Sequence, residues 1–134
     1  MSPVVVGGHW GASGAPPAPQ LAETLEVLPM LMLKPGVRIT GIRPEILLAV
    51  VAAERVYEEM GHDCMITACV DGKHMAGSLH YAGQAVDLRT RDVPAADLQK
   101  LLARIQECVG ADYDVIVETD HLHVEFQPKT PLTA

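Results

Sequence analysis

Apolar positions recur with two periods along this chain, and they mark out its elements. Arg43-Pro44 opens the clearest helix, with proline in the first turn, and Ile46, Leu47, Val50, Val51, Val56 and Tyr57 recur on one side until Gly61 stops it. That face predicts packing against a sheet. Asp63–Val70 alternates loosely and carries β-branched and thiol side chains, which predicts a strand, followed by a polar, glycine-bearing loop from Asp71 to Tyr81. Gln84–Leu88 predicts a second strand. Asp92, Val93 and Pro94 start another helix, with Leu98, Leu101, Leu102, Ile105 and Cys108 on its buried face and Gly110 past its end. Asp114–Glu118 and His121–Phe126 predict a hairpin joined at Thr119-Asp120. Ahead of these lie a Gly/Pro-rich arm, 1–20, a short helical piece at Leu21–Val27, and an apolar stretch, Leu28–Leu33, stopped by Pro35 and Gly36. Trp10, inside the arm, is expected to lie over the domain surface. The pattern is that of an α+β fold with a small, mainly antiparallel sheet and flanking helices.

Composition adds bounds. A chain of 134 residues with 49% hydrophobic content suits a single domain, 21–134, behind the arm. Its longest apolar run, Ile46–Ala53, is far short of the ~20 residues of a membrane-spanning helix. The first basic residue is Lys34, so the N-terminus has no basic secretory start, and cytoplasmic synthesis is expected. A formal charge of −7 opposes nucleic acid. Cys64, Cys69 and Cys108 cannot all pair within one chain and are expected as reduced core residues.

Five of the six histidines fall between His62 and His123, and two segments combine them with carboxylates. The first runs from Ser78 to Asp87, the second from Glu118 to Glu125. A catalytic zinc takes three ligands from His, Asp and Glu and keeps a position open for water, and His80, Asp87 and His123 would supply that set. Gly83 lets the chain turn between a loop histidine and a strand aspartate, and Ala85 keeps the intervening inward position small. Strand alternation puts His121, His123 and Glu125 on one face and Leu122, Val124 and Phe126 on the other. Glu125 is expected either to orient a ligand histidine or to face water.

Ser78, His80, Gly83, Ala85 and Asp87 fill the pattern S-x-H-x-x-G-x-A-x-D, followed by a D-x-x-H segment. This resembles the zinc D-alanyl-D-alanine peptidase family, with phage endolysin peptidases similar in size, and shares the zinc arrangement of the hedgehog signalling domain. The resemblance spans about Thr67–Phe126. It implies Zn2+ held by His80, Asp87 and His123. It places the family's acidic general base three residues before the last ligand, on Asp120; Glu118 is the rival, following the hedgehog-like arrangement. His121 resembles an auxiliary histidine that stabilises the oxyanion. Many members carry a substrate-binding arginine ahead of the first motif; Lys73 and His74 stand in the corresponding loop here. Ser78 either holds the ligand loop or only caps its turn. The implied activity is a murein peptidase cutting a D-Ala-D-Ala or L-Ala-D-Glu type of bond. Its setting would be the cell wall, after release as a phage lysin or as part of a virion, the arm docking on phage structural proteins. The alternative is a zinc-bearing domain that binds a partner without turnover.

Overall fold

The computed structural model describes residues 28–71 and 77–129. The arm, Trp10, the helical piece at Leu21–Val27, Lys73 and His74 lie outside the described residues. Five strands and two helices are described: β1 (Leu31–Leu33), α1 (Pro44–Glu59), β2 (Cys64–Ala68), β3 (Ala85–Arg89), α2 (Ala95–Val109), β4 (Tyr113–Val117) and β5 (His121–Phe126). They form one sheet in the order β1-β2-β3-β5-β4. The β1–β2 pairing is parallel and the other three are antiparallel, so the α+β reading with a mainly antiparallel sheet holds. The apolar stretch ahead of Pro35 thus supplies an edge strand, β1, which the sequence pattern did not resolve.

Side chains alternate across this sheet, and the alternation divides it into two chemically distinct faces. Val86 and Leu88 on β3 stand opposite Val124 and Leu122 on β5, and all four are buried with the helices in the core. The intervening pairs, Ala85–Glu125, Asp87–His123 and Arg89–His121, belong to the opposite face. The helices therefore cover an apolar face and leave a polar one for chemistry.

Helix α1 meets the sheet through Ile46, Ala49, Val50, Ala53, Val56 and Tyr57. Leu47 and Val51, expected on that face, are instead 55% and 52% exposed. The stripe that docks includes two alanines, which let the helix backbone approach the strands closely, and a step of about 100° per residue then turns Leu47 and Val51 outward. Cys108 is a second correction. The docked stripe of α2 centres on Leu101 and Ile105, and Cys108 lies at the exposed edge of that helix. Cys64 and Cys69 are buried as expected, and burial pushes their thiols up to about 12 and about 11, which keeps them protonated. Tyr57, fully buried, donates its hydroxyl hydrogen bond to the Arg89 carbonyl at 2.8 Å and so ties α1 to the end of β3.

Candidate metal centre

Two of the three candidate ligands are fixed by sheet register. Asp87 on β3 lies directly across from His123 on β5, both on the face away from the helices. The third, His80, arrives from the loop before β3, and its approach depends on Gly83. Gly83 has φ +72°, and a Cβ there would lie 2.3 Å from the Gly41 carbonyl oxygen, so this turn demands glycine. The Ser78 hydroxyl accepts the His80 backbone N–H at 3.2 Å, and Ser78 thus caps the ligand loop.

These elements bring three atoms into a small triangle. His80 Nε2 lies 3.1 Å from Asp87 Oδ1 and 3.2 Å from His123 Nδ1, and His123 Nδ1 lies 3.0 Å from the same Asp87 oxygen. Ligand atoms about 2.0–2.1 Å from a tetrahedral zinc are separated by roughly 3.3 Å, so the triangle is close to the size such an ion requires. His80 and Asp87 are buried, whereas His123 is half-buried and borders an open cleft. These three residues are the group that could hold a metal among the described residues.

The hydrogen bonds around the triangle settle which nitrogens face inward. His80 donates from Nδ1 to the Cys69 carbonyl at 2.7 Å, which leaves its Nε2 as a lone pair. His123 Nε2 lies 2.7 Å from Glu125 Oε1, and a neutral ring that donates there turns a lone pair on Nδ1 inward. With neutral imidazoles, two nitrogen lone pairs and a carboxylate oxygen point at one another with no hydrogen between them. Such a set needs a positive charge, either an added proton or a cation. In the metal-free protein a proton takes the place of the cation: burial works to raise the Asp87 carboxyl, but hydrogen bonding to the His123 and His80 rings outweighs it and holds Asp87 well below the usual carboxylate range. His123 is raised above an ordinary imidazole, chiefly by its hydrogen bond to Asp87 and against the effect of burial.

Glu125 is therefore an orienting group, and its carboxylate also accepts from the Gln127 side chain at 2.9 Å. We expect Glu125→Gln to weaken zinc binding by about 10–100-fold, as removal of outer-shell partners of histidine ligands typically does. Chelator competition measures this; native affinity in the variant would show that the contact at 2.7 Å does not set the ring.

The triangle opens onto a cleft of about 660 Å³ whose wall includes Ser78, Leu79, Ile116, Glu118 and His121. His121 is held between two carboxylates, with Nε2 2.7 Å from Glu118 Oε1 and Nδ1 2.7 Å from Asp120 Oδ1. Its Nε2 also lies 3.6 Å from Asp87 Oδ2. Burial opposes the charged form, yet the acidic groups around the ring, Asp120 first, raise its pKa. The two acidic candidates thus fall on opposite sides of one imidazole. Glu118 borders the cleft with the three candidate ligands, whereas Asp120 faces a second cleft with Lys34, Thr67, Arg89 and Arg91. Sequence reasoning missed two contributors. The Cys69 carbonyl carries no sequence signal, but Arg89 stands two residues after Asp87 and shares its face by simple alternation.

A mixed sheet backed by helices, with a His/Asp/His group on its open face, defines a zinc-peptidase-like fold. The family model of the Hedgehog amino-terminal signalling domain matches residues 49–125, more than half of the chain, and the chain belongs to that family. The match spans all three candidate ligands together with Glu118, His121 and Glu125. No curated protein matches the chain.

Proposed function

We propose that the chain is a zinc-dependent peptidase acting on the stem peptides of peptidoglycan, at a D-Ala-D-Ala or L-Ala-D-Glu type of bond. The observation that carries this reading is the triangle formed by His80 Nε2, Asp87 Oδ1 and His123 Nδ1, open to a cleft that also holds a carboxylate and a second imidazole. When bound, zinc would polarise the scissile carbonyl and acidify a water molecule. Glu118 then takes a proton from the attacking water and returns it to the leaving amine. His121, whose charged form its acidic neighbours favour against burial, stands beside Glu118 in the cleft and would turn its Nε2 hydrogen bond toward the oxygen on which negative charge develops as Glu118 engages the water. Ser78 holds the ligand loop in register. Asp120 acts on His121 rather than on the substrate. The Ser78–Asp87 motif supports murein as the substrate, with a phage lysin or virion-associated peptidase as its setting.

Membership in a signalling-domain family favours a second reading, in which the zinc is structural and the same face binds a partner without turnover. Incubating zinc-loaded protein with purified murein and sequencing the released fragments by mass spectrometry separates the two. New peptide termini at a stem bond are expected. Intact murein beside stoichiometric zinc would remove the peptidase and leave the binding domain.

A further inference from the structure

The second cleft, about 230 Å³, is lined by Lys34, Thr67, Arg89, Arg91, Asp120 and His121. Three of the ten basic side chains of a chain with net charge −7 therefore border one small cavity. They come from separate places in the fold. Lys34 follows β1, and its N–H donates to the Ile66 carbonyl of β2 at 2.9 Å. Arg89 ends β3 across from His121. Arg91 is two residues further on, beside Thr90, whose N–H donates to the Asp120 carbonyl at 3.0 Å. Topology, not sequence proximity alone, gathers this charge.

The protein's own acids engage these cations only loosely: Arg91 acts on Asp120 through its charge, without an ion pair. Among the described residues, the Lys34 and Arg91 side chains make no hydrogen bond or ion pair, although acidic side chains outnumber basic ones by 17 to 10. Arg89 has one carboxylate neighbour, Asp92, at the long distance of 3.6 Å. Asp120 is the acid in the cavity wall, and its Oδ1 is occupied by His121 at 2.7 Å. An anion entering the cleft would meet two forked guanidinium groups and an ammonium, a donor set suited to a carboxylate. His121 lines this cleft and the metal cleft alike, so the two clefts adjoin at one side chain.

We propose that the cleft formed by Lys34, Arg89 and Arg91 is a carboxylate subsite that holds an acidic group of the peptide next to the bond at the metal centre. This rests on the peptidase reading for its ligand, a peptide, but not on turnover. The carboxylate comes either from the free end of the peptide or from an acidic side chain. A free end would make the protein a carboxypeptidase that measures one residue back from the terminus. An acidic side chain would make it an endopeptidase.

The test is equilibrium binding by calorimetry to the full, zinc-loaded chain, with the slow-turnover variant Glu118→Gln as the common background. The probes are an acylated D-alanyl-D-alanine peptide, its C-terminal amide, and an amide-capped peptide carrying a D-glutamate side chain. We expect the free acid to bind at least about tenfold more tightly than the plain amide, a difference of about 1.4 kcal/mol. Lys34→Gln with Arg91→Gln should abolish that preference while zinc content and the thermal transition stay as in the parent, since both side chains are exposed. Tight binding of the glutamate-bearing amide would equally support the subsite and assign the carboxylate to the side chain. Equal affinity for acid and both amides, or a preference that survives the double substitution, overturns the proposal. Selective binding of the acid by native protein that cuts no murein would retain the subsite and remove the peptidase; murein cleavage without acid selectivity would do the reverse.

Discussion

Glu118→Gln is expected to lower the kcat for stem-peptide hydrolysis by about 10²–10⁴-fold, the usual worth of a positioned general base, with zinc content and KM little changed. The substitution keeps the size of the side chain and one hydrogen-bond acceptor for His121 but removes the group that takes the proton. Asp120→Asn acts differently. Asp120 is exposed, lies on the far side of the His121 ring and lines the second cleft, whereas Glu118 lines the cleft that the three candidate ligands share. Its replacement removes one of the acidic groups that raise His121 and should cost less than about tenfold in kcat. Steady-state kinetics on a defined stem peptide, with zinc quantified in each preparation, reads both. A large loss in Asp120→Asn beside near-native Glu118→Gln would reverse the assignment.

The two acids show where sequence reasoning reaches and where it stops. Period-two alternation placed His121, His123 and Glu125 on one strand face, and the structure has them there, opposite Leu122 and Val124 in the core. The choice between Asp120 and Glu118 lies beyond that rule. Both sit at the β4–β5 turn, where the alternation ends, and a hydrogen bond from the Glu118 N–H to the His121 carbonyl at 2.8 Å closes the hairpin so that they flank the ring from either side. Helix α1 carries a similar ambiguity in its core face. Its apolar side chains span more than one stripe, and the one that docks is decided by Ala49 and Ala53, whose contribution is their lack of bulk. Gly83 was legible as a turn, but the reason no other residue fits is the Gly41 carbonyl, more than forty residues earlier in the chain. The parallel pairing of β1 with β2 is likewise a long-range choice, with Leu31 opposite Cys64 across the whole of α1.

His80→Ala is expected to abolish stoichiometric zinc binding, and the loss should be steeply pH-dependent even in the native protein. His80 contributes the loop ligand, and without it Asp87 and His123 offer two donors on adjacent strands, too few for a stable tetrahedral site. Protons compete with the cation for the histidine nitrogens. Because the hydrogen bond to Asp87 raises His123, that competition begins at a higher pH than for a free imidazole of about 6.5. Zinc affinity should therefore be level above the raised value and fall as pH is lowered through it. The metal-free protein has the opposite dependence. A raised His123 stabilises the fold below the unfolded histidine value, and that contribution fades as pH rises through the folded one. A lowered Asp87 stabilises above the unfolded aspartate value, near 4, and that contribution fades only as pH falls through its depressed value. For these two groups the metal-free protein gains most between about pH 4 and 6.5, whereas zinc moves the optimum toward neutral or alkaline pH. Thermal unfolding with and without zinc across that range should show the two curves diverging as pH rises, and His80→Ala following the metal-free curve throughout. Parallel curves in the native protein, or zinc retained by His80→Ala, would mean that the inward lone pairs serve a proton and not a metal.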